Sequence, residues 1–130
     1  MKEFLKKLQK IERTISSKKG MFSLFGLFLR EDSPDKWDLV VAAPWIEKNK
    51  QHGIAHLARV LQEKLAPNEM IQLSRIVPID ERNPALSAIH GAIHVEHGTA
   101  EFKNCNFFGL SIKHAFIITS KDTGARLKTV

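Results

Sequence analysis

Phe4, Leu8, Ile11 and Ile15, with Leu5 beside them, recur at spacings of 4, 3 and 4, which is one stripe of an α-helix. Lys2, Lys6, Lys10 and Arg13 fall on the opposite side and Gly20 is a natural stop, so residues 1–19 are expected to form a basic amphipathic helix. The period then changes. Residues 21–30 are rich in Phe and Leu and apolar on both faces, the pattern of a central strand. The turn cluster Glu31-Asp32-Ser33-Pro34-Asp35 leads to a second strand from Trp37 to Ala43, and Pro44 ends its pairing.

Helical spacing returns between Glu47 and Leu65, where Ile54, Leu57, Ala58, Leu61 and Leu65 share a face and Pro67 closes the element. Met70 to Ile79 reads as a third strand. Asn83-Pro84 starts a further helix, with Asn as cap and Pro at the first helical position. That helix is expected to stop near Gly91, the alternative being a run to Gly98. Ile93 and Val95 alternate with His94 and Glu96, and beyond Gly98 the residues Ala100 and Phe102 alternate with Glu101 and Lys103, which predicts a hairpin about Gly98. A last strand, about Ala115 to Ser120, precedes a basic tail, residues 121–130, expected to be flexible. The order of elements predicts one α+β domain over residues 1–130: a mostly antiparallel sheet of five to six strands with two or three helices packed on one face.

Charge refines this picture. The chain of 130 residues has a formal net charge of +6, but residues 1–20 alone carry seven Lys/Arg against two Glu. The last ten residues add Lys121, Arg126 and Lys128 against Asp122, which leaves the body between the two ends close to neutral. Hydrophobic residues make up 43%, so disorder is excluded and a core can form without disulfides. Cys105 is the single cysteine, which rules out an internal disulfide and fits a reducing compartment. The longest apolar run, Met21 to Leu29, is too short to span a membrane and lacks the flanks of a signal peptide. A cytoplasmic location is expected.

Asp80, followed 21 residues later by Glu101-Phe102-Lys103, carries the first candidate chemistry. Two carboxylates can hold a hard cation such as Mg²⁺ or Mn²⁺, and a lysine can stabilise charge at a phosphate. In this one pattern the chain resembles the restriction-endonuclease-like nucleases. That resemblance implies a metal-dependent phosphodiesterase with Asp80, Glu101 and Lys103 as catalytic residues. The competing account is a solvent-facing charge ladder on a strand, with Glu96 across the hairpin from Lys103. It is the preferred one, because that fold follows its acid-x-Lys strand with a helix whereas strands are read here.

His90, His94 and His97 would share one face if residues 84–97 were a continuous helix, and three imidazoles at such spacing can chelate zinc. The hairpin breaks this set up, so no metal or other cofactor is expected, and zinc ranks below Mg²⁺ or Mn²⁺ among the alternatives. The strand ending in Pro44-Trp45 is similar to the catalytic loop of amino-methyltransferases, but Ala42 and Ala43 stand where a polar residue and a first proline belong. Phosphate loops and nucleophile elbows are missing from the sequence.

Two features of the N-terminal helix point to a partner. The stripe Phe4, Leu8, Ile11 and Ile15 can pack on the sheet or on another chain. Lys2, Lys6, Lys10 and Arg13 form a basic face whose mutual repulsion a polyanion would relieve. The reading that follows is a non-catalytic binding or accessory module that self-associates as a homo-oligomer or docks a protein partner. Nucleic acid stands behind these as a candidate partner.

Overall fold

The computed structural model describes residues 1–123, and the tail segment beyond Thr123 lies outside the described residues. Helix α1 (Lys2–Lys19) is followed by strands β1 (Leu24–Arg30) and β2 (Trp37–Ala42). Three helices come next, α2 (Pro44–Lys48), α3 (Lys50–Lys64) and α4 (Pro67–Met70), then β3 (Leu73–Pro78). Helix α5 (Pro84–Ala92) and strands β4 (Ala100–Phe107) and β5 (Leu110–Ser120) complete the chain. The five strands form one sheet in the order β3-β2-β1-β5-β4. All neighbours are antiparallel except β2 and β3, which are parallel because the helices α2 to α4 carry the chain back across the sheet.

β1 and β2 are buried along almost their whole length because both sheet faces are covered. On one face Phe25, Leu27, Leu39, Val41 and Phe116 meet Phe4, Leu8, Ile11 and Ile15 of α1 and Leu57 and Leu61 of α3. The stripe of α1 is therefore core, with Leu8 fully buried, and is not presented to a partner. On the other face Leu24, Phe28, Val40, Ala115 and Ile117 meet Leu86, Ile89 and Ile93. The expectation of an α+β domain with a largely antiparallel sheet holds, and a common helical face holds for α1 and α3, while α5 lies on the opposite side.

Local chemistry explains several differences from the expected elements. The single helix expected from Glu47 to Leu65 is two, because Asn49 interrupts it and caps α3, its side chain accepting from the His52 amide at 3.2 Å. Gly53 allows α2 and α3 to approach, since a Cβ there would lie 3.1 Å from the Ile46 Cα. Met70 belongs to α4 and not to the third strand. The hairpin expected about Gly98 is not formed. Residues 93–99 form no strand and pair with β5 by an isolated bridge, Val95 to Ser120, and the hairpin lies between β4 and β5 with Phe108 and Gly109 at its turn. Both turn residues have positive φ, 55° and 73°, the conformation of a two-residue turn that usually selects Asn-Gly. A phenylalanine at the first position conceals that turn from the sequence. It is held by Phe28, whose ring centroid is 6.2 Å away.

Candidate functional site

The nuclease-like set is not brought together. Asp80 follows β3 at one edge of the sheet and Glu101 and Lys103 lie on β4 at the other edge. Four strand spacings separate them, about 19 Å. Glu101 and Lys103 share a face, as alternation requires, and Glu101 is engaged locally, its Oε2 2.6 Å from His114 Nε2, the residue opposite Lys103 in the β4–β5 register. Glu96 is paired with Lys121 at 3.0 Å, so the expected Glu96–Lys103 ladder is absent. The Asp80 carboxyl is held below its ordinary range chiefly by the Arg82 amide, which donates to it at 2.8 Å.

The three histidines weighed as zinc ligands point to three places. His90 is buried, with Nε2 2.8 Å from the Ser23 carbonyl; His94 is exposed; His97 turns toward α1. Among the described residues no group of three or more His, Cys, Asp or Glu is arranged to hold a metal ion. Nor is any described helix long and apolar enough to cross a membrane.

Two buried polar clusters link distant parts of the chain. Glu12, fully buried on α1, receives His97 Nδ1 at 2.5 Å and the Thr119 hydroxyl at 2.9 Å. Glu81, in the loop before α5, receives hydroxyls from Ser23 and Thr123, while its amide donates to Glu47 Oε1 at 2.7 Å. Desolvation, helped by the nearby Glu47 carboxylate, pushes the Glu81 carboxyl above its ordinary value. With Ser23 almost wholly buried, this cluster offers no accessible nucleophile and acts as a tie between β1 and α5.

The surface that gathers charge is the one shared by α1 and α3. Lys19 lies with His52, His56 and Arg59, whereas Lys7, Lys10 and Thr14 lie with Val60 and Lys64, so the helices run antiparallel. At the first end is an open cleft of about 570 Å³ lined by Lys19, Trp45, Asn49, His52, His56 and Arg59, among others. At the other is a smaller groove of about 280 Å³. The cations from Lys7 to Lys19 extend over about 18 Å of helix.

Two carboxylates of this region, Glu12 and Glu69, are withdrawn from the surface, whereas Glu3 and Glu63 are exposed. Glu12 faces β5, and Glu69 is buried, bonded to Lys7 Nζ at 2.8 Å and to the Ala66 amide, which hold its carboxyl below its ordinary range. Among the described residues Lys10, Lys19, Arg59 and Lys64 have no carboxylate within ion-pair distance. His56 records the resulting field: burial first, then Lys19 and Arg59, lower its pKa, against the opposing Glu63. Trp45 forms a wall of the cleft, 6.4 Å from the His56 ring, and its indole N–H is the single buried side-chain polar atom without a partner among the described residues. Of the basic face expected on α1, Lys10 reaches the α1–α3 groove, whereas Lys2 and Lys6 lie beside Gln9, Thr99 and Glu101, and the meeting of Lys10 and Lys19 with residues 52–64 depends on tertiary packing.

Comparison with protein-family models, with curated proteins and with solved structures returns no match to this chain.

Proposed function

We propose that this protein is a non-catalytic binding module whose recognition surface is the α1–α3 face and whose ligand is anionic. One observation carries the reading: α1 and α3 bring Lys19 and Arg59 to one cleft and Lys10 and Lys64 to a second groove between the same two helices, while Glu12 and Glu69 are turned into the fold. Unpaired cations on neighbouring helices repel one another, and an anion in the groove converts that repulsion into attraction. The docked stripe of α1 supports a fixed recognition face in place of a free helix awaiting a partner chain. The distance between Asp80 and the β4 pair gives the phosphodiesterase alternative no comparable support.

The test is retention of the protein on immobilised linear polyphosphate, compared between Lys10→Glu/Arg59→Glu and Lys103→Glu/Lys113→Glu. All four residues are exposed, so both variants are expected to fold, and they carry the same net charge. Loss of retention in the first pair alone is the expected result. Equal loss in both pairs would reduce the effect to net charge and overturn the reading.

A further inference from the structure

We infer that the anion is a single-stranded nucleic acid, seated with one base in the Trp45 cleft and its phosphates along the α1–α3 groove. This rests on the anionic-ligand reading above and adds the chemistry that separates a nucleic acid from other polyanions. A phosphate chain alone needs only cations. The cleft offers more: an indole wall, two imidazoles and the small residues Gly53 and Ala55. Aromatic and imidazole surfaces beside a cationic groove are what a base followed by its backbone requires, because bases stack and phosphates pair with Lys and Arg. The cleft, at about 570 Å³, has room for a base, and the second groove between the same helices presents Lys10 and Lys64.

A concave groove between two helices also suits a flexible strand better than a duplex, which is usually entered by a protruding helix or ribbon. An acidic protein surface would ordinarily bring an apolar interface core with it. The exposed large hydrophobic residues, Met1, Met21, Ile71 and Leu110, line neither the cleft nor the groove.

The experiment titrates the intact protein with oligothymidylate of twelve residues, a duplex of equal length, linear polyphosphate and poly-glutamate, following ligand anisotropy or competition and tryptophan emission together. The oligothymidylate is expected to bind most tightly and to quench Trp45 emission, with the quench lost in Trp45→Phe. With four phosphates neutralised, the slope of log affinity against log salt should be about −3. Arg59→Glu should weaken binding by about tenfold and reduce that slope by about 1, with thermal unfolding showing that the variant is folded. Equal affinity for polyphosphate, poly-glutamate or duplex, or binding without a Trp45 quench, would overturn the nucleic-acid assignment and leave the anion reading standing. No binding of any polyanion would overturn both.

Discussion

Glu12 Oε1 on α1 and His97 Nδ1 in the loop before β4 are 2.5 Å apart, although 85 residues separate them in the chain. The carboxylate is wholly buried and its second oxygen receives the Thr119 hydroxyl, while the His97 amide donates to the same hydroxyl at 3.1 Å. His97 adopts a φ of 53°, an uncommon conformation for a residue with a side chain, and these contacts hold it there. Together with Gln9, which donates to the Gly98 carbonyl at 2.8 Å, they fasten α1 to the 97–99 loop.

This arrangement predicts that His97→Ala lowers stability by about 1–3 kcal/mol, because it leaves a buried acceptor unmatched. Glu12→Gln should cost a similar amount alone. In the double variant the losses should fall short of additive, since the two groups share one interaction. Urea unfolding of the four proteins measures this. Simple additivity would show that the pair is not energetically coupled.

Leu8→Ala should cost about 2–5 kcal/mol, the range for a fully buried leucine in a core that relaxes only in part. Lys6→Ala, one helical step away on the exposed side, should stay within about 0.5 kcal/mol. The contrast separates a helix built into the fold from an appendage, for which both changes would be mild.

Glu81 supplies a pH dependence of definite sign. Its folded pKa is raised above the ordinary 4.5, by desolvation first. In the window above 4.5 the folded protein holds a proton that the unfolded chain has released, so this group's contribution to stability is present below 4.5 and is lost as pH rises through the folded value. Glu81→Gln keeps the carbonyl acceptor for Ser23 and removes the charge. The variant should lose less stability than wild type between pH 4.5 and 7, and parallel curves would disprove the assignment.

The helices and the two central strands could be read from the sequence because each carries a single strong period: 3.6 for the α1 stripe, and unbroken apolar character for Phe25 to Leu29. The parts that escaped depend on contacts between distant positions. Phe108 at positive φ breaks the usual rule of turn chemistry and is paid for by packing on Phe28, so the β4–β5 hairpin was displaced to the more conventional Gly98. Asp38 is a buried carboxylate between Arg30 at 3.0 Å and Arg75 at 3.3 Å, brought together from three strands, an arrangement no local pattern announces. The candidate site was half legible. Lys10 belongs to the basic face that the helical spacing predicts, but Lys19, Trp45, His56, Arg59 and Lys64 gain meaning only once α3 lies antiparallel to α1.

His56 joins the cleft to pH. In the free protein burial, Lys19 and Arg59 lower its pKa from the ordinary 6.5, which leaves the imidazole neutral at pH 7. On folding alone, this costs stability as pH falls below 6.5, because the unfolded chain accepts a proton that the folded chain resists. An anion in the cleft acts in the opposite direction: it offsets the two cations and favours the imidazolium, so binding takes up a proton. Affinity for a polyanion should therefore rise as the pH falls from 7 toward 6 and level off once His56 is protonated in both free and bound protein. His56→Gln should flatten that rise while leaving the salt dependence set by Lys10, Arg59 and Lys64 in place. Calorimetric titration in two buffers of different ionisation enthalpy reads the proton uptake directly. If wild type and His56→Gln took up the same number of protons, the ligand would be bound away from this cleft.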